Sequence, residues 1–75
     1  MIEYSEGAIW DLLIYRPKIR YDGVVYDRAI SFKMCIGRRH RQVRSLELLE
    51  RRKRTDGGYY ETTVWAPIEE CEVIT

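Results

Sequence analysis

Large apolar residues alternate with polar ones in the middle of this chain, and that pattern predicts β-strands. Between positions 30 and 36 the apolar members are Ile30, Phe32, Met34 and Ile36. A period of two is typical of a strand that buries one face, and Gly37 ends the run. We expect the following residues to share one core: Val24, Tyr26, Ile30, Phe32, Met34 and Trp65.

The dipeptide Asp22-Gly23 predicts a tight β-hairpin, because it separates two short apolar stretches. Asp-Gly tolerates the positive φ angles that a type I′ turn requires. The resulting register pairs Tyr21 with Val24, Ile19 with Tyr26, and Lys18 with Asp27.

The amino-terminal stretch from Ala8 to Arg16 is rich in Ile, Trp, Leu and Tyr and stops at Pro17. This composition favours a further strand. A helix remains an alternative, because Ser5 followed by Glu6 is a legitimate helix start.

The segment from Val43 to Arg54 fits either a strand or a helix. A helix at about 45–55 would begin at Ser45 and end near Gly57, with opposite charges four residues apart. Its best face, however, would present only Leu46 and Leu49, which is little apolar area. We therefore predict a strand that returns through Thr55–Gly58, pairing Arg54 with Tyr59, Arg52 with Glu61, Leu49 with Val64, and Leu48 with Trp65.

A short closing strand from Glu70 to Thr75 completes the pattern. The sequence thus predicts one mainly β domain over residues 1–75, with five or six antiparallel strands. Tight turns between short strands favour a small closed barrel, since an open sheet would leave its edges exposed. The alternative is an α+β fold that contains the helix at about 45–55.

Two segments resemble SH3-like and Tudor-type barrels. Tyr21–Ala29 is similar to a strand pair of those barrels, and Trp65–Glu70 is similar to their penultimate strand and the turn after it. The resemblance implies a binding module rather than an enzyme, with ligands held by loops at one end. Recognition of proline-rich or methylated peptides is not implied, because neither the acidic loop nor a four-aromatic cage is evident.

Composition restricts the class of protein further. Hydrophobic residues make up 45% of the chain and aromatic residues 12%, which is typical of a folded domain.

The longest uncharged apolar run, Leu12–Tyr15, is far shorter than the ~20 residues of a membrane span. The start Met1-Ile2-Glu3 lacks a basic leader region, and only two cysteines, Cys35 and Cys71, are present. We expect a cytoplasmic protein with reduced thiols and no membrane association.

Positive charge is concentrated in one block. Residues 33–54 contain nine Lys or Arg against two Glu, a net charge of +7, whereas residues 55–75 carry −5. Arginine suits phosphate recognition, so we expect a nucleic acid, or an acidic protein surface, as the partner. The candidate binding residues are Arg38, Arg39, Arg41, Arg44, Arg51, Arg52, Lys53 and Arg54. A solubilising charged edge would show the same pattern.

Other chemistry is not indicated. His40, the only histidine, lies among arginines that repel a metal ion and disfavour its protonation. We expect no metal, no cofactor and no catalytic group. Tyr59 or Tyr60 would offer a base-stacking ring if it lay outside the core. A different function also fits: a small phage or mobile-element protein that binds and inhibits a host or defence protein.

Overall fold

The computed structural model describes residues 6–36 and 42–74. Its described part contains one helix, six strands and one turn of 3₁₀ helix. In chain order these are α1 (Glu6–Tyr15), β1 (Lys18–Tyr21), β2 (Val24–Tyr26), β3 (Arg28–Ile36), β4 (Gln42–Lys53), β5 (Tyr59–Pro67), the 3₁₀ turn (Ile68–Glu70) and β6 (Cys71–Ile74).

The strands form two antiparallel sheets, each with three strands. One sheet has the order β2-β1-β6 and the other the order β3-β4-β5. The prediction of a mainly β, antiparallel fold is confirmed, but the expected closed barrel is wrong, because the described sheets are both open. Part of the reason is that the amino-terminal stretch is a helix and supplies no strand. That helix covers the core instead.

The helix α1 corrects the strand predicted over residues 8–16. Ile9 and Leu12, three positions apart, are buried and face the core. Arg16 ends the helix with a φ of 52°, and its N–H donates to the carbonyl oxygen of Leu12 at 3.2 Å. Pro17 then disfavours continuation. The alternative of an amino-terminal helix is thus confirmed; Ser5 lies outside the described residues.

The hairpin at Asp22-Gly23 is confirmed. Its register pairs Ile19 with Tyr26 and Tyr21 with Val24, as expected. Asp22 and Gly23 have φ angles of 51° and 74°, the positive values of a type I′ turn.

The third predicted pair of this hairpin, Lys18 with Asp27, is wrong. The β1–β2 ladder stops at Ile19 with Tyr26, because β2 ends there, and Lys18 has a ladder partner only on the other edge of β1, Ile74 of β6. The Asp27 N–H donates to the carbonyl oxygen of Leu49 at 2.7 Å, which directs the chain away from β1 and into β3.

The segment over 43–54 is a strand, so the helix alternative at about 45–55 is wrong. The predicted register between β4 and β5 is wrong by one residue: the observed pairs include Lys53 with Tyr59, Arg52 with Tyr60, Arg51 with Glu61, Leu49 with Thr63, and Leu48 with Val64. The turn explains the difference. Arg54 N–H donates to Gly58 O at 2.7 Å and Gly57, with φ of 91°, donates to Arg54 O at 3.2 Å. Only three residues therefore form the loop.

The core lies between α1, the first sheet and one face of the second sheet. It consists of Ile9, Leu12, Ile19, Tyr26, Ala29, Leu46, Leu48, Ala66, Ile68 and Cys71. Tyr26 was predicted correctly, and Val24 and Phe32 pack against this cluster while only partly buried.

Ile30, Met34 and Trp65 were expected in the core and are exposed by 41%, 49% and 41%. A bulge at Ile30 shifts the register of β3 between Ala29 and Ser31 and takes Ile30 out of the alternation. Met34 stays on the face of Phe32, but it pairs with Arg44, beyond the buried Leu46. Trp65 pairs with Glu47, and neighbours in a ladder share a face. That face is opposite to the one on which Leu48 is buried.

We predict that Leu48→Ala lowers the free energy of unfolding by ~2–5 kcal/mol, because a fully buried leucine leaves a cavity when truncated. Met34→Ala is the matched control, since its half-exposed side chain should cost less than ~1 kcal/mol. Urea unfolding followed by circular dichroism measures both. Equal midpoints for the two variants would contradict the position of the core.

Candidate nucleic-acid interface

The predicted binding residues that the structure describes are Arg44, near the start of β4, and a second group at the far end of that strand. Arg38, Arg39 and Arg41 lie outside the described residues, and Arg44 pairs with Met34 through the backbone. Arg51, Arg52, Lys53 and Arg54 are at the far end of the strand and just beyond it. Arg44 and Arg51 are seven positions apart, ~23 Å at ~3.3 Å per residue. The strand therefore separates Arg44 from the second group and does not bring them onto one compact patch.

The second group lies on the outer part of the β4–β5 hairpin, residues 51–62, which we call the β-arm. Every residue of the β-arm is exposed. The ladder nevertheless continues to the last pair, Lys53 with Tyr59, because β-branched and aromatic residues dominate β5. The molecule measures 49 by 25 by 20 Å, an elongated shape consistent with a projecting hairpin. The β-arm thus presents a two-stranded ribbon to solvent.

Strand alternation divides the cations of the β-arm between its two faces. Arg51 and Lys53 share one face with their ladder partners Glu61 and Tyr59. Arg52 and its partner Tyr60 occupy the other face. A ligand that lies on one face of the β-arm therefore meets only half of these cations.

Three of the four cations of the β-arm are paired with nearby acids. Arg51 donates to Glu61 Oε1 from Nε and Nη2 at 3.2 and 3.1 Å, Arg52 Nε donates to Glu50 Oε1 at 2.6 Å, and Arg54 Nη2 lies 3.5 Å from Asp56 Oδ2. The hydrogen bond to Glu50 is the main cause that raises the pKa of Arg52, with Tyr60 contributing. Exposed ion pairs contribute ~0–1 kcal/mol, so an anionic ligand can replace them.

Lys53 differs from these arginines, since it has no ion pair with any described residue. It lines an open cleft of about 290 Å³ between the β-arm and the β1–β2 hairpin. The residues around the cleft are Lys18, Val25, Tyr26, Asp27, Arg51, Lys53 and Tyr59. Sequence reasoning missed Lys18, Val25 and Asp27, because they belong to another hairpin and no spacing rule relates them to residues 51–59.

Trp65 occupies the same face of the second sheet as Arg51. The ammonium group of Lys33 lies 4.4 Å from its ring centroid, a cation–π contact. Nearby, Ser31 Oγ donates to Glu47 Oε1 at 2.9 Å. Lys33, counted in the basic block, is thus engaged by a ring and is less available to a ligand.

Cys71 is the cysteine whose side chain the structure describes, and it is a free, buried thiol. Its Sγ–H donates to the carbonyl oxygen of Pro67 at 3.3 Å. Burial first, and then the charges of Glu70 and Glu69, raise the pKa of Cys71 to about 11. Within the described ranges, no three His, Cys, Asp or Glu side chains gather as metal ligands; His40 lies outside them.

No described helix is both long enough and apolar enough to cross a membrane. Comparisons of the chain with protein-family models, with curated proteins and with solved structures found no match. The candidate interface therefore depends on the geometry and the charges of the described residues alone.

We predict that Cys71 reacts slowly with a thiol reagent in the folded protein at pH 8, because the buried thiol stays protonated well above that pH. The measurement compares labelling rates with and without urea in a Cys35→Ser background, so that one thiol reports. The native rate should rise towards pH 11, as the thiolate forms. Equal rates in native and unfolded protein at pH 8 would contradict the burial of Cys71.

Proposed function

We propose that this chain is a small non-enzymatic binding protein that binds nucleic acid through its arginine-rich surface. The observation that carries the proposal is the β-arm, where four successive cations, Arg51 to Arg54, are exposed on a projecting two-stranded ribbon. Phosphate contacts from arginine and lysine supply most of the affinity in non-specific nucleic-acid binding.

The ion pairs of the β-arm support this use. In the free protein Glu61 and Asp56 hold Arg51 and Arg54 by contacts that stay exposed to solvent, whereas the Glu50 side chain that holds Arg52 is only 17% exposed. Exposed ion pairs contribute little in water. A nucleic acid releases counterions for each of its phosphates that takes the place of an acid beside an arginine, and this release favours binding. The β-arm itself has four cations and two acids, a net charge of +2, and its cations are exposed to a ligand.

The order of elements also supports a small binding module, although its described sheets are open and form no closed barrel. Strands β3, β4 and β5 form a meander, the 3₁₀ turn Ile68–Glu70 follows, and β6 returns to pair with β1. This agrees with the resemblance of Trp65–Glu70 to a penultimate strand and the turn after it. In such modules the binding surface is built on loops and strand ends that the sheets hold in place.

We predict that affinity for nucleic acid falls linearly with the logarithm of salt concentration and that Arg52→Gln with Arg54→Gln flattens the slope. Each phosphate that the variant no longer neutralises should reduce the slope by ~0.9 on duplex or ~0.7 on single strands. Fluorescence anisotropy with labelled oligonucleotides at several salt concentrations measures the slopes. Changing Arg38, Arg39 and Arg41 together to Gln should likewise weaken binding to all sequences equally, since phosphates carry no base information.

The matched control for the arginine pair is Arg16→Gln with Arg20→Gln, which removes two exposed arginines outside the β-arm. It should leave the slope within error of the wild type. A wild-type protein that binds neither duplex nor single strands at low salt would overturn the proposal, and equal effects of the two double variants would reject the β-arm as the interface.

A second candidate function, binding and inhibition of a host or defence protein, is favoured by one observation. Large apolar side chains along α1 and the edge strand β3 are exposed, among them Trp10 at 50%, Ile14 at 65% and Met34 at 49%. The ring of Trp10 packs edge-on against the ring of Phe32, with 5.3 Å between their centroids. The apolar residues therefore form a row that continues from α1 to β3. Exposed apolar rows of this kind are common in protein interfaces.

If the chain acts by binding a protein, Trp10→Ser should abolish recovery of that protein in a nuclease-treated pull-down from host lysate. Arg52→Gln with Arg54→Gln should leave the recovery unchanged, because those residues lie outside the apolar row. Disappearance of the captured protein in the arginine variant and not in Trp10→Ser would contradict the assignment of the partner to this row.

A further inference from the structure

We propose that the cleft between the β1–β2 hairpin and the β-arm binds one nucleotide of a single-stranded nucleic acid. In this arrangement the base stacks on the ring of Tyr59 and the adjoining phosphate binds the ammonium groups of Lys18 and Lys53. The inference rests on the proposed nucleic-acid function and specifies which form of nucleic acid is preferred.

The size and lining of the cleft suit a ligand with one flat apolar part and one charged part. Its volume of about 290 Å³ is near the lower end of the range of small-ligand pockets, ~300–1,000 Å³. Val25 and Tyr59, exposed by 47% and 65%, supply apolar surface, while the remaining lining is mostly charged. A nucleotide combines a planar base with a phosphate and matches both parts.

The charges in the cleft favour an anion. Arg51 is held by Glu61 at 3.1 Å, and the carboxylate of Asp27 lies 3.6 Å from Arg28. Lys18 and Lys53 remain, and neither has an ion pair with a described residue. The two lysines come from different hairpins and line one cleft. Lysine binds phosphate as a point charge, so these two side chains need no fixed orientation to bind the same phosphate.

The two adjacent tyrosines of β5 are distinguished by strand alternation. Tyr59 lines the cleft, whereas Tyr60 points to the other face and lies beside Arg52, whose pKa it helps to raise. Tyr59 has no ring contact with any described aromatic residue. Its exposed ring is thus available for a base, and single-strand binding proteins use aromatic rings in this way without sequence preference.

Duplex nucleic acid cannot use this site as it stands. Its bases are stacked on each other, so a base reaches Tyr59 only after it has left the duplex, and that costs free energy. Phosphates of a duplex still reach the cations of the β-arm. Single strands should therefore bind more tightly than a duplex of equal length, and the difference should depend on Tyr59.

The test uses the full chain, a short labelled oligothymidine and a duplex of the same length, with affinities from fluorescence anisotropy. Tyr59→Leu should weaken single-strand binding by about fivefold to a hundredfold, the range that removal of one stacked base produces, and should change duplex binding by less than about twofold. Tyr60→Leu is the matched control and should stay within about twofold of the wild type. Lys18→Gln with Lys53→Gln should reduce the single-strand salt slope by ~0.7 for each phosphate that the two lysines neutralise in the wild type.

The outcomes separate this inference from the proposed function. If the wild type binds neither probe, the nucleic-acid function itself is wrong. If it binds both probes equally, or if Tyr59→Leu and Tyr60→Leu behave alike, the cleft inference is overturned while the nucleic-acid function stands. Thermal melts of each variant should match the wild type, because the replaced tyrosines are exposed.

Discussion

The backbone ladder of β4 is the constraint on which the rest of the structure depends. This twelve-residue strand pairs with β3 over residues 42–49 and with β5 over residues 45–53. Leu46 and Leu48, fully buried, fix the part that pairs with both strands against α1 and the other sheet. Because the ladder continues past Leu49, the same strand carries Arg51 to Lys53 out into solvent at positions that the core has already set. The β-arm is thus an extension of the core strand rather than an independent loop.

Sequence reasoning succeeded where the local backbone decides the structure. Asp22-Gly23 specifies positive φ angles within two residues, so the hairpin and its register could be predicted.

Sequence reasoning failed where contacts between residues far apart in the chain decide the structure. The stretch containing Leu12 and Leu13 is apolar on all sides, so no period distinguishes helix from strand, and packing against the core selects the helix. The observed register of β4 with β5 differs from the predicted one because the hydrogen bond from Arg54 N–H to Gly58 O shortens the loop by one residue. A slip of one residue exchanges the faces of every side chain in one strand relative to the other.

The candidate site, too, could be predicted only where it depends on neighbouring residues in the chain. The basic block could be counted from the sequence, and the alternation of its members followed once β4 was known to be a strand. The pairing of Arg51 with Glu61 could not be predicted, because the assumed register gave that glutamate to Arg52. The contribution of Lys18 could not be predicted either, since only the packing of two hairpins brings it to the cleft that Lys53 lines.

The distribution of acids around the β-arm determines which of its cations attract a ligand from a distance and which act on contact. Glu50, Asp56 and Glu61 compensate the arginines, so the long-range field of the β-arm comes mainly from Lys53, joined by Lys18 across the cleft. If the proposed function is right, an anionic ligand that approaches the β-arm is attracted mainly by these two lysines. A phosphate bound between them would place its neighbours along a nucleic-acid chain near the arginines, whose exposed ion pairs contribute little in water. The compensated arginines would then add affinity only for a ligand with several phosphates, so the proposal predicts a preference for a polymer over a single small anion.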